Sequence, residues 1–304
     1  LSTRPAKMSV RAMGMMKTNT ETHMKIAIAS GKGGTGKTTV AVNLALSIPD
    51  AQLIDCDVEE PNCNLFLNKE LERIAESKIT VPNIDEELCT HCGKCSEMCR
   101  FNAIATLPEK VILFPTLCHS CGGCILACPE YAISGKEKIT GIISRSSNKK
   151  DHPMLYEGVL NIGESMASPV ITELKRSIEP GIPTIIDSPP GTGCPVMTTL
   201  EDTDHCILVT EPTPFGLHDL KLAVKMVKIM NIPFGVIINR SEQENCIIDE
   251  YCDQENIEVL MRIPLNKRIA ELYSDGIPFV EEMPEWKERF TNLFERIVNK
   301  KELA

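Results

Sequence analysis

Gly31-Lys32-Gly33-Gly34-Thr35-Gly36-Lys37-Thr38 lies between the apolar run Lys25–Ser30 and the helix-forming stretch Gly36–Ser47. These residues fit G-x-x-x-x-G-K-[ST], a loop whose glycines let backbone N–H groups close around phosphate oxygens while the following helix adds its positive end. Lys37 is expected to neutralise the β- and γ-phosphates and the Thr38 hydroxyl to hold Mg²⁺. Gly31, Lys32, Gly33, Gly34, Thr35, Gly36 and Thr39 complete the expected nucleotide cradle. An ordinary glycine-rich turn is the competing reading, and the strand before and helix after the loop count against it.

Outward from this loop, short β-branched runs recur at Gln52–Asp57, Thr184–Ser188, Cys206–Thr210, Phe234–Asn239 and Glu258–Ile263. Helical stretches fall between several of them, at Pro169–Ile178, Phe215–Met230 and Asn266–Ser274. Apolar strands alternating with helices predict an α/β fold with a mostly parallel, doubly wound sheet covered on both faces. The 304 residues fit about two domains. With 42% apolar and 24% charged residues the chain reads as globular. A net charge of −10 lacks the basic footprint of a nucleic-acid binder, so nucleic acid is not an expected partner. No apolar run reaches the ~18–20 residues of a membrane span.

Residues 1–23 carry basic residues but no continuous apolar segment, and read as a flexible leader ahead of Met24. Residues 24–82 and 136–304 then form the α/β domain, and 83–135 an inserted module with Pro82 and Gly135 at its entry and exit turns. The polar run Arg145–Pro153 reads as an exposed loop.

Eight of the 14 cysteines fall inside the insert, as Cys89-x₂-Cys92-x₂-Cys95-x₃-Cys99 and Cys118-x₂-Cys121-x₂-Cys124-x₃-Cys128-Pro129. Both are the bacterial ferredoxin run, in which three thiolates face one cubane and the fourth ligates the other. The expected sets are therefore crossed: Cys89, Cys92, Cys95 and Cys128 for one [4Fe-4S] cluster, and Cys99, Cys118, Cys121 and Cys124 for the second. Structural zinc is the bland alternative, but zinc folds separate their cysteine pairs by longer loops. Arg100 stands where the second run has Pro129, and His91 and His119 read as loop histidines. Such cysteine usage in a long chain predicts a reducing, cytoplasmic location.

With Lys32 as a second lysine, the loop resembles the deviant Walker A motif of the MinD/ParA/Mrp and nitrogenase iron protein class of P-loop ATPases. That resemblance implies a nucleotide-dependent homodimer in which Lys32 reaches the partner's phosphates. It also places Asp57, in Leu53-Ile54-Asp55-Cys56-Asp57, in switch I, orienting the attacking water or contacting Mg²⁺. Asp187, in Asp187-Ser188-Pro189-Pro190-Gly191-Thr192-Gly193, falls in the Walker B and switch II segment, with Asp187 on the Mg²⁺ shell and Gly191 sensing the γ-phosphate. Asn239 and Arg240 fall where the class reads the adenine edge. In the nitrogenase iron protein a cysteine at the offset of Cys194 ligates a bridging cluster. That makes Cys194 a speculative metal ligand, set against a packing role. Cys56, Cys63 and Cys206 read as core residues, and Cys246 and Cys252 are six apart and do not form a CxxC pair.

From Met24 onward the chain resembles MinD/Mrp-type ATPases carrying an inserted two-cluster ferredoxin domain. The function expected from it is slow ATP hydrolysis coupled to the clusters, with ATP-gated electron transfer to a redox partner. The alternatives are an iron–sulfur or metal-cofactor carrier acting on a client protein, and a positioning protein with structural clusters. The terminal helix Glu285–Leu303 is amphipathic, but its charges nearly balance, which favours packing on the sheet over lying on a membrane.

Overall fold

The apolar alternation of β1 (Lys25–Ala29) already defines two layers. Ile26 and Ile28 point to one face of the sheet and Ala27 and Ala29 to the other, and all four are fully buried. The computed structural model describes residues 24–148, 152–242 and 246–302; the expected leader 1–23 lies outside them.

After the glycine loop come α1 (Lys37–Leu46), β2 (Gln52–Asp55), α2 (Cys63–Leu67) and β3 (Leu71–Ile84). The next segment contains α3 (Lys94–Met98), β4 (Ile104–Leu107), β5 (Lys110–Leu113) and α4 (Gly123–Ala127), before β6 (Ile133–Ser146) and β7 (Met154–Leu160). The chain continues through α5 (Ser168–Arg176), β8 (Thr184–Asp187), α6 (Cys194–Leu200), β9 (His205–Thr210), α7 (Pro214–Ile229) and β10 (Phe234–Ser241). It ends with α8 (Ile247–Gln254), β11 (Val259–Pro264), α9 (Lys267–Ser274), α10 (Phe279–Glu282) and α11 (Pro284–Glu302).

The main sheet runs β11-β10-β9-β1-β8-β2-β7-β6-β3, parallel from β11 to β7 and antiparallel for the last two strands. Helices α1, α10 and α11 cover one face, and α5, α6, α7 and α8 the other. This is the largely parallel, doubly covered sheet expected of a P-loop fold. The stripe of Trp286, Phe290, Leu293, Phe294, Ile297 and Val298 on α11 is buried in the first of these layers. No helix among the described residues is long and apolar enough to cross a membrane.

Strands β3 and β6 differ from the sequence expectation. Pro82 and Gly135 make no turns; they pair with each other inside a long antiparallel stem that extends the main sheet. Proline is tolerated there because β3 is the sheet edge, where one side of the strand has no ladder to complete. The polar run from Arg145 likewise begins as strand, since β6 continues to Ser146. Beyond the stem, β4 and β5 form a separate two-stranded sheet, and α3 and α4 are five-residue helices.

Candidate nucleotide site and cysteine cavities

The glycine loop joins the end of β1 to α1 at the carboxyl edge of the parallel strands, where open α/β sheets bind ligands. Its shape depends on missing side chains. A Cβ on Gly31 would come within 2.2 Å of the Asp219 carbonyl oxygen, and Gly36 sits at φ +92°. Gly31→Ala is expected to destabilise the protein by about 1–3 kcal/mol, as overpacking against backbone does. That corresponds to a fall of roughly 2–10 °C in Tm, and a variant melting with the wild type in differential scanning calorimetry would refute the close approach.

Lys37 is buried at the first position of α1, with Asp187 and Asp57 as its charged neighbours. Burial lowers its pKa, and the two carboxylates oppose that shift. The Thr38 hydroxyl donates to Asp187 Oδ2 at 2.6 Å, while Asp187 Oδ1 is buried with no hydrogen-bond partner. The Thr35 hydroxyl oxygen is also buried without one. Unmatched buried oxygens are costly in a finished interior; a hydroxyl and a carboxylate beside a phosphate loop fit hydrated Mg²⁺, a hard cation that takes oxygen ligands. Thr39 is the next residue of α1 after Thr38, its carbonyl accepting from Asn43 Nδ2.

The loop after β8 packs against the glycine loop. Gly191 N donates to the Ser30 carbonyl at 3.1 Å, and Pro190 lies 3.9 Å from the Cβ position of Gly33. The Cβ positions of Gly34 and Gly191 meet nothing within 4 Å, which leaves open space between the two loops. Asn239 donates to the Thr35 carbonyl at 2.8 Å and accepts from Arg240 N, so both ends of its amide are engaged with backbone. Arg240 and Lys32 converge on Glu211, with Lys32 Nζ 3.6 Å from its carboxylate.

Three residues of this site escaped the sequence reading. Asp55, rather than Asp57, is the fully buried acid beside Asp187: the two are register partners on β2 and β8. Asp55 accepts from the backbone N–H groups of Asp57, Asn62 and Cys63, and so holds the segment after β2 in place. Cys63 is buried as expected, but its thiol reaches Asp187 Oδ2 at 3.6 Å, and Asp55, Cys63 and Asp187 bring ligand atoms within 4.8 Å of one another. Glu211, the third, is a nearly buried acid at the end of the apolar strand β9. A strand ending in a buried carboxylate was the available signal for both acids. Burial, with the Asp55 charge adding to it, raises the Asp187 pKa; burial also raises that of Asp55. Asp57 is pushed up to about 6 by burial and by Asp55, against Lys37.

The eight ferredoxin-spaced cysteines line two cavities, and the partition is the crossed one. Cys89, Cys92, Cys95 and Cys128 line one cavity together with Val111 and Ile133. Cys99, Cys118, Cys121 and Cys124 line the other with Thr80, Phe101 and His119. All 14 cysteines are free thiols. Nowhere among the described residues do three cysteine sulfurs come within 4.8 Å of one another. A tetrahedral zinc, with Zn–S near 2.3 Å, would hold its sulfurs about 3.8 Å apart. Backbone N–H groups already point at sulfur in the second set, from Ala103 to Cys99 at 3.3 Å and from Ser120 to Cys118 at 3.4 Å. His119 stacks on Phe101 rather than entering the ligand set. Cys194 is exposed at the start of α6, outside both cavities.

A strand, a glycine loop and a helix opening on a buried lysine, with a threonine–aspartate pair beside them, define a P-loop nucleotide-binding class of ATPase. The sequence profile of the CobQ/CobB/MinD/ParA nucleotide binding domain matches residues 26–279, and the chain belongs to this family of ATPases. An uncharacterized protein of Methanocaldococcus jannaschii is 33% identical over 270 residues, covering 85% of this chain and 92% of that one. The iron-sulfur cluster carrier protein of Pyrococcus abyssi is 28% identical over 302 residues, covering 91% and 86%. Among solved structures, the septum site-determining protein MinD of Pyrococcus horikoshii, complexed with Mg-ADP, superposes with a TM-score of 0.56 at 20% identity, covering 90% of this chain and 95% of that one.

Proposed function

We propose that this ATPase is a nucleotide-driven switch for electron transfer, with two resident [4Fe-4S] clusters in the cysteine cavities exchanging electrons with a redox partner. The observation that carries this reading is the completeness of both cavities: each has four cysteines from this chain alone, on a stem continuous with the nucleotide-binding sheet. Residues 83–135 are the cluster module, and 24–82 with 136–304 the ATPase body. A reducing, cytoplasmic location suits the free thiols.

In the body, Lys37 neutralises phosphate charge, Thr38 and Asp187 hold Mg²⁺, and Asp57 orients the attacking water. Asn239 and Arg240 bound the base side of the nucleotide. A second copy of the chain closes over the nucleotide, with Lys32 leaving Glu211 to reach the partner's phosphates. The γ-phosphate then orders the segments after Asp55 and Asp187, the way such switch loops generally work. Bound in their cavities, the clusters supply low-potential one-electron exchange; the cysteines, the Ala103 and Ser120 N–H groups and the surrounding apolar side chains set that potential.

An anaerobic, EPR-monitored redox titration with and without a non-hydrolysable MgATP analogue tests the reading. The expected result is a shift of about 60 mV or more in at least one cluster, a decade in its reduction equilibrium. Potentials that do not move would sink it. A second reading, cluster delivery to a client protein, draws support from the 28% identical relative named as an iron-sulfur cluster carrier. Iron transfer from the holoprotein to an apo-ferredoxin, faster with ATP than without, would favour that reading. The complete thiolate sets weigh against it, because no coordination position is left open for a client.

A further inference from the structure

The cysteine module does not rest evenly on the ATPase body. Among the described residues, the hydrogen bonds of 85–96 all stay inside the module: Asp85 to Ala132, His91 to Glu86, and Ser96 to Gly93 and Thr106. The segment carrying Cys118 and Cys121 is held from outside at two points. Ser165 donates to the Thr116 carbonyl at 2.7 Å, and Thr80 N of the stem donates to Ser120 Oγ at 3.0 Å. Met166 packs beside Cys99 against Ile79, Val81, Ala103 and Cys118.

Ser165 and Met166 precede α5, and α5 is clamped onto α6. Val170, Ile171 and Leu174 share one buried cluster with Val196 and Leu200, and Lys175 Nζ donates to the Thr198 and Thr199 carbonyls at 2.9 and 3.1 Å and also to that of Glu201. Helix α6 in turn begins directly after the Asp187–Gly193 loop that packs on the glycine loop. We infer that nucleotide state acts selectively on the cluster of Cys99, Cys118, Cys121 and Cys124, with Ser165 and Met166 as the positioning residues that transmit it. This rests on the redox reading above and names its regulation.

The physical link is short. A displacement of the Asp187–Gly193 loop moves α6, and a close-packed interface passes the movement to α5 rather than absorbing it. Glycines leave no slack on the other side of α5, since a Cβ at Gly141 would come within 2.7 Å of Val170. Any shift at 165–166 is felt by Thr116 and hence by the Ser120 N–H that donates to Cys118 Sγ. Hydrogen bonds to cluster sulfurs are among the levers that set reduction potential. The set at Cys89, Cys92, Cys95 and Cys128 has no such external hold among the described hydrogen bonds.

The test uses the anaerobic holoprotein, with signals assigned through Cys121→Ser, which perturbs only its own cluster. With a non-hydrolysable MgATP analogue, the Cys118-side cluster is expected to shift its reduction equilibrium tenfold or more, about 59 mV for one electron, and the other cluster less than threefold. Hydrogen exchange of amides 116–122 should respond to the analogue while that of 89–95 does not. Ser165→Ala combined with Met166→Ala should reduce the shift below threefold with ATP hydrolysis retained. Equal shifts in both clusters, a shift confined to the Cys89 side, or an undiminished shift in the double variant would each overturn the inference and leave the redox reading standing. Immobile potentials in both clusters would overturn the two together. Should the double variant fail to retain its clusters, the wild-type exchange pattern decides by itself: response at 89–95, or none at 116–122, overturns the inference.

Discussion

Lys37→Met is expected to lower ATP hydrolysis by on the order of 10²–10³-fold, the loss typical of removing one preorganised electrostatic stabiliser from an active site. The substitution keeps most of the apolar stem and removes only the ammonium. In the resting protein that ammonium is buried beside Asp187 and Asp57, where desolvation lowers its pKa. It is therefore costly to hold there and serves the incoming phosphates rather than the fold. The melting temperature of Lys37→Met should accordingly stay at or above that of the wild type. Lys32→Met should lower turnover as well but bring no gain in stability, because Lys32 is partly exposed and lies 3.6 Å from Glu211. Phosphate release and calorimetry on the two variants check this, and Lys37→Met retaining a tenth or more of wild-type turnover would refute the assignment.

Stripping iron from the protein under anaerobic conditions is expected to melt residues 85–132 while the main sheet survives. The module has little else to hold it: two five-residue helices, two four-residue strands and two small apolar groups around Ile79 and Val81 and around Ile104, Val111 and Ile133. Helices this short do not persist unaided, and an isolated hairpin is marginal in water. Domains below about 40 residues usually need metals or cross-links, and the segment 85–132 is only a little longer than that. Amide exchange between 86 and 131 should accelerate 100-fold or more, equivalent to about 2.7 kcal/mol of lost protection. Amides of β1, β8 and β9 should keep theirs. A module that stays protected after chelation would show that its clusters are not what holds it together.

The parts of this molecule that could be read from the sequence share a physical cause. β1, β2, β8, β9 and β10 are covered on both faces, so each appears as a largely continuous apolar run. The glycine loop and the cysteine spacings are local constraints, visible without knowing what packs where. The edge strand β3 and its neighbour β6 interleave charged residues with apolar ones, as in Leu71-Glu72-Arg73-Ile74-Ala75-Glu76-Ser77, with pairing irregularities at Arg73–Ala75 and Ser77–Lys78. That blurs the two-residue period, and Pro82 and Gly135 look like breaks when they are partners. The meeting of Asp55, Cys63 and Asp187 was invisible for another reason. It arises from the register of β2 against β8, which brings together residues more than 120 positions apart.

The antiparallel stem has a consequence for how such a molecule could arise. Asn83 pairs with Ser134 and Ile84 with Ile133, and Asp85 N donates to the Ala132 carbonyl at 2.8 Å. The module therefore leaves and re-enters the body at neighbouring points, as the two arms of a hairpin do. Closing a hairpin over two residues or over some fifty differs by only a few kcal/mol of chain entropy, since that cost grows with the logarithm of length. The cysteine module is thus a cassette at a hairpin tip. An ancestral nucleotide switch could have acquired it in one insertion, without re-registering a single strand of the parallel sheet.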